Sequence, residues 1–135
     1  MKKYEFLEHP ADIQIRSFGE NLEELFSNSA LAMMNFIYGE NAKRAKDGNP
    51  EKVELKSDKL DSLLIDWLSE LLYLTRTNYQ PYFDYKFKKL DENNLSAEVF
   101  PGKGRAKNEI KAVTYHNLSV KKNNQGYEAL VVYDI

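Results

Sequence analysis

From Tyr82 to Lys88 the chain alternates strictly, with Tyr82, Asp84, Lys86 and Lys88 on one side and Phe83, Tyr85 and Phe87 on the other. A half-buried strand satisfies that period of two and a helix does not. Leu95, Ala97 and Val99 repeat it, and Asp91-Glu92-Asn93-Asn94 between the two runs has the composition of a hairpin turn. Further strands are predicted at Glu109 to Tyr115, Leu118 to Val120 and Tyr127 to Ile135, the last two separated by a turn at Asn123 to Gly126. Strands joined by such short turns can pair only antiparallel, which makes an antiparallel sheet the frame of the fold.

The first half of the chain must fit that frame. Tyr4 and Phe6 alternate within Lys3 to Leu7, and Ile13 and Ile15 resume the period after His9-Pro10-Ala11-Asp12, so two strands flank a turn stiffened by Pro10. Asn21 with Glu24 has the form of a capping box, opening a helix with Leu22, Leu25, Phe26, Ala30, Met33 and Ile37 at helical spacing up to Gly39. A polar loop, a short strand at Val53 to Leu55 and an Asp58 cap lead to a second helix. Its band of Leu60, Leu63, Leu64, Trp67, Leu68, Leu71 and Leu72 is broader than a surface helix needs, marking it as the central core helix. The predicted order is β-β-α-β-α-β-β-β-β-β. This is an α+β domain spanning residues 1–135, with a largely antiparallel sheet carrying both helices on one face.

Composition narrows the chemistry. A chain of 135 residues hides roughly two-thirds of its unfolded surface, enough for one core. It contains no cysteine, so thiolate nucleophiles, thiolate zinc sites and redox switching are excluded, and any metal must be held by oxygen or imidazole. No run approaches the ~20 apolar residues of a membrane span, and the start lacks the apolar core of a signal peptide, so the expected location is the cytoplasm without a membrane partner. A net charge of -2 argues against autonomous RNA binding, since phosphate affinity is assembled from many basic contacts. Pro101 to Lys111 is locally basic, with Lys103, Arg105, Lys107 and Lys111 against Glu109, and reads first as a solvated loop and strand edge.

There is no Walker pattern and no nucleophile elbow, and with only His9 and His116 a Ser-His-Asp triad has little to draw on. The aromatic strand lacks the glycine-aromatic pattern of an RNA-stacking sheet and reads as packing. Asp66 and Glu70, one helical turn apart, read as a solvated stripe. What remains is the end of the chain, where Leu130 to Tyr133 lead into Asp134 and Ile135. If that strand is paired to its last residue, Asp134 and the Ile135 main-chain carboxylate are held close together, and Asp12 in the first turn is the best third oxygen donor. A hard cation, which favours carboxylate oxygens, would suit such a group, but spacing alone points first to the plainer reading of N-caps, Asx turns and a chain end that merely stops.

Five blocks in order carry a resemblance: His9-Pro10-Ala11-Asp12-Ile13; Gly19 with Leu22-Glu23-Glu24-Leu25-Phe26; Leu63 to Leu72; Glu109 to His116; and terminal Asp134-Ile135. Together they resemble the archease family from end to end. The resemblance implies a small cytosolic, non-catalytic, chaperone-like partner of the RtcB-type RNA ligase of tRNA splicing. Such a protein promotes guanylylation of the ligase histidine and multiple turnover and broadens nucleotide use, meeting tRNA only through the ligase. It further implies a metal site on Asp12, Asp134 and the Ile135 carboxylate, with Ca²⁺ as the ion and Mg²⁺ or another divalent cation as substitutes. Lys111 matches a lysine needed for activation, and His9 and His116 would support the ligands from behind. Pro10 departs from the Thr or Ser common at that place, which removes a hydroxyl there. Residue 135 would be a functional endpoint, and the expected state is a monomer. Two alternative functions use the same residues: a metal-dependent phosphate-ester hydrolase on the carboxylates, and a small RNA-binding module on Lys103 to Lys111. A general folding helper would need an exposed apolar patch that composition does not reveal.

Overall fold

The structure is a computed structural model that describes residues 2–8, 12–40, 42–45 and 48–135. The elements run β1 (Tyr4–Glu8), β2 (Asp12–Gly19), α1 (Leu22–Tyr38), β3 (Lys43–Arg44), β4 (Glu51–Lys56), α2 (Leu60–Asn78), β5 (Tyr82–Leu90), β6 (Asn94–Lys103), β7 (Ala112–Asn123) and β8 (Gly126–Asp134). The class is α+β with antiparallel pairing, as expected. The strands, however, divide between two sheets. One has the order β1-β2-β8-β7; in the other, β6 pairs with β3, β4 and β5.

That division accounts for the breadth of the apolar bands. Helix α1 packs on β2 and β5, and α2 on β7 and β4, so each helix touches both sheets instead of covering one face of a single sheet. Leu63, Leu64, Ile65, Trp67, Leu68, Leu71 and Leu72 of α2 are all buried. Trp67 donates its indole N–H to the Phe26 carbonyl at 3.0 Å and packs against the rings of Tyr85 and Phe87, with centroids 5.6 and 5.3 Å away. The aromatic strand is therefore packing.

The strand total matches expectation although its distribution does not. An unforeseen pair of residues, β3, joins β6 through Lys43 and Arg44, while the two strands expected between Glu109 and Val120 are one strand, β7. Within β7 the pairing with β8 jumps between Thr114 and Ser119, and Asn117 takes φ 53, so the interruption is a bulge that leaves the strand continuous. Tyr82 is fully buried, off the polar side assigned to it, because a register shift between Tyr82 and Asp84 breaks the alternation there.

The Asn21 cap is present, its Oδ1 accepting from the Glu24 N–H at 2.9 Å, while the Glu24 carboxylate reaches back to the Glu20 N–H at 3.3 Å. Asp58 does not cap α2: the N-cap is Lys59, with no side-chain bond, and the Asp58 carbonyl accepts from Asn93. The Asp91 turn forms as read, with Asp91 Oδ1 accepting from the N–H groups of Asn93 and Asn94 at 2.8 Å each. No helix among the described residues is long and apolar enough to cross a membrane.

Candidate functional site

Strand β2 begins at Asp12 and pairs antiparallel with β8 over eight positions, from Asp12 opposite Asp134 to Gly19 opposite Tyr127. Two acids far apart in the chain thus share one rung. Side chains alternate, and Ile13, Ile15, Val131 and Tyr133 belong to the core cluster with the helices. Asp12 and Asp134 therefore lie together on the sheet face turned away from the helices. Asp12 is half-buried, with Oδ1 shut off from solvent, and Asp134 is exposed. Like charges directly opposite on paired strands repel.

The same rung continues into β7, where Ala112 pairs with Asp134. Just before it, the Lys111 N–H donates to the Asp134 carbonyl at 2.7 Å, and Arg76 Nη1, in the last turn of α2, donates to the Lys111 carbonyl at 3.1 Å. A chain of hydrogen bonds and strand pairing therefore joins α2, Lys111, Asp134 and Asp12. The Lys111 side chain is exposed and borders a cleft on the α2 side of the sheet with Tyr73 and Arg76, one residue out of phase with the acid face.

Four of the expected site residues thus converge: Asp12, Asp134, Ile135, which follows Asp134 directly, and Lys111 through its main chain. His116 does not join them. It sits exposed in the β7 bulge, four residues along the strand from Ala112, with its N–H directed to Thr114 Oγ1 at 3.3 Å. His9 and Pro10 lie outside the described residues. Among the described residues no group of three or more His, Asp or Glu side chains converges to hold a metal, so the donor set stands at two carboxylates before any main-chain oxygen is counted. Carboxylate oxygens are the donors that hard cations such as Ca²⁺ and Mg²⁺ favour.

Two residues beside the site escaped sequence reasoning. They are Arg76 and Tyr79, the second within the segment from Asn78 to Pro81 whose composition breaks the helix. In the structure Arg76 borders two clefts, one of about 590 Å³ and one of about 430 Å³, while Tyr79 caps α2 at φ 55, 87% exposed at the rim of the larger. A tyrosine with positive φ has no sequence signature, because that region is ordinarily left to glycine and asparagine.

Fold and site define a class: a small α+β protein of two antiparallel sheets about two helices, with paired aspartates where β2, β8 and β7 meet. The family described as "Archease protein family (MTH1598/TM1083)" matches residues 4–135. Protein archease of Methanosarcina barkeri is 39% identical over 143 aligned positions, covering 99% of this chain and 97% of that one. The solution structure of Methanobacterium thermoautotrophicum protein 1598 superposes with a TM-score of 0.79 at 29% identity, each chain fully covered. The crystal structure described as an archease, possible chaperone, from Thermotoga maritima shares the fold at a TM-score of 0.64 and 21% identity, over 96% of this chain and 94% of that one. The chain belongs to the archease family.

Proposed function

We propose that this protein is a non-catalytic accessory factor of an RtcB-type RNA ligase, promoting formation of the ligase's guanylylated histidine and its repeated turnover in tRNA splicing. The observation that carries the reading is the shared rung: Asp12, Asp134 and Lys111, singled out together by family resemblance, are brought together by strand pairing and one 2.7 Å hydrogen bond. In this reading the carboxylates of Asp12 and Asp134, with the main-chain carboxyl of Ile135, hold a divalent cation, Ca²⁺ by preference. Bound there, a hard cation supplies positive charge against phosphoryl oxygens, whose charge must be neutralised as a nucleophile comes in line with phosphorus.

The chain's own residues do the positioning. Arg76 fixes the main chain of Lys111, so that the lysine ammonium swings from an anchored base. The ammonium then supplies a second, mobile positive charge to the partner's anionic groups. RNA meets the protein only through the ligase, and the protein acts in the cytoplasm as a monomer. The Thermotoga description as a possible chaperone fits a protein whose substrate is another protein.

The test is a guanylylation assay with the cognate ligase and GTP. Added protein is expected to raise the rate and the turnover number, and Asp12→Ala, Asp134→Ala and Lys111→Ala each to abolish the gain with unchanged circular dichroism. Full stimulation by either aspartate variant refutes the site. Full stimulation by protein stripped of metal, with the ligase itself loaded, refutes the role of the cation.

A further inference from the structure

We infer that the exposed face of α2 around Arg76 is a docking groove for an acidic polypeptide segment carrying two apolar anchor residues. The groove has two pits, one on either side of the Arg76–Lys111 link. Ile37, Tyr38, Leu72 and Ile110 form the floor of the larger, about 590 Å³, and Leu72, Ala112 and Val113 that of the smaller, about 430 Å³. Each volume lies in the range that encloses a compact apolar group.

The larger pit is held open. Thr75 Oγ1 donates to the Gln80 carbonyl at 2.5 Å, so the Tyr38 hydroxyl must be the donor in its 2.6 Å bond to Thr75, and both side chains are committed to the wall. On the other side, the loop after β6 is tied to the end of α1 by the Lys107 and Asn108 N–H groups, which both donate to the Ile37 carbonyl at 2.7 and 3.1 Å.

The rim chooses the occupant. Its charged residues are Arg76, Arg105 and Lys111 against Glu109 alone, on a chain whose net charge is -2, so the groove attracts acid where the protein as a whole does not. Tyr73 and Tyr79 flank Arg76 along α2, 61% and 87% exposed. Tyrosine and arginine are the side chains that concentrate binding energy at protein interfaces. Tyr79 in particular stands at φ 55, a backbone conformation unfavourable for a bulky residue, and is 87% exposed, an arrangement that gives the fold itself little return. Two pits along one helix face suit an extended chain with spaced anchors better than a compact small molecule.

The test uses the ¹⁵N-labelled full chain and an end-blocked octapeptide, Glu-Asp-Leu-Glu-Asp-Phe-Glu-Asp, beside a counterpart with lysine at every acidic position. The acidic peptide is expected to shift the Thr75, Ile110 and Val113 amides. Tyr79→Gly and Arg105→Glu should each weaken it at least five-fold, Tyr79→Gly with a Tm no lower than the parent. Equal binding of the lysine peptide, no shifts at these amides, or stronger shifts there from an octamer of uridylate would overturn the proposal, the last by assigning the face to nucleic acid. No ligase enters this experiment, so its failure and that of the guanylylation assay are separate results.

Discussion

Asp134→Asn tests the charge logic of the rung, because its effect on stability should change sign with the metal. Directly opposed residues on antiparallel strands have Cα atoms roughly 4.5–5.5 Å apart, which sets the scale for Asp12 and Asp134. At about 5 Å, two unit charges repel by about 0.8 kcal/mol in water and about 3 kcal/mol at an effective dielectric of 20. Asp134 is exposed, so the outcome belongs near the lower limit, within the roughly 0.2–1 kcal/mol found for cross-strand pairs. Asparagine keeps the shape and removes one charge. In chelator the variant should therefore melt about 1–4 °C higher than the parent, by the scaling of Tm with stability for a chain of this size. The gain should shrink in 1 M salt, where the Debye length is only about 3 Å. With Ca²⁺ at a hundred times its Kd, binding adds about 2.7 kcal/mol to the parent and little to the variant, and the order of the two melting curves reverses. Circular dichroism melts in chelator and in calcium chloride read both signs. A variant that melts lower in chelator would show that Asp134 is already stabilised by the protein's own groups, and identical calcium responses would remove the site.

Trp67→Ala should cost about 3–5 kcal/mol in urea unfolding, since it empties a fully buried indole site and strands the Tyr85 and Phe87 rings; Trp67→Phe should recover much of the loss. Gly126→Ala should cost roughly 2–4 kcal/mol, because at φ 134 a Cβ would stand 2.2 Å from the Gly19 carbonyl oxygen; a variant with parental Cm would contradict the close approach of the β7–β8 turn to the end of β2. Burial pushes the Tyr85 and Tyr133 phenols above their ordinary value of 10. Above pH 10 the unfolded chain therefore loses these protons first, and the stability they contribute below pH 10 is lost as pH rises. Tyr133→Phe should make the decline between pH 10 and 12 shallower, and an unchanged slope would refute the assignment.

Much of the fold was legible because its signals are local. The Asn21 cap and the Asp91 turn are decided within three or four residues, and the apolar bands of both helices are read from spacing alone. The errors fall where a distant partner decides. The β7 bulge reads in the sequence as a gap between two strands, and only pairing with β8 keeps Thr114 and Ser119 in one strand. Tyr82 departs from the alternation because the register shift after it depends on pairing with β6. One sheet was expected where two exist, since a hairpin pattern states which strands are neighbours in sequence and leaves open that β2 closes on β8. For the same reason spacing could nominate Asp12 and Asp134 without pairing them, and family resemblance was needed to join them to Lys111.

The structure adds the reason the acidic pair can be held so closely. A slip of one residue between β2 and β8 would turn Ile13 and Ile15 away from the helices and point Asp12 and Gln14 at them, putting a carboxylate and an amide in place of two apolar core side chains. The register is therefore pinned by Ile13 opposite Tyr133 and Ile15 opposite Val131, all buried against the helices, and the Asp12–Asp134 rung inherits its alignment from them. Repulsion between the two carboxylates is small against the several kcal/mol of apolar burial that such a slip would forfeit. The core thus imposes a pairing the acids alone would avoid, and the strand end keeps its two carboxylates opposite one another at one position.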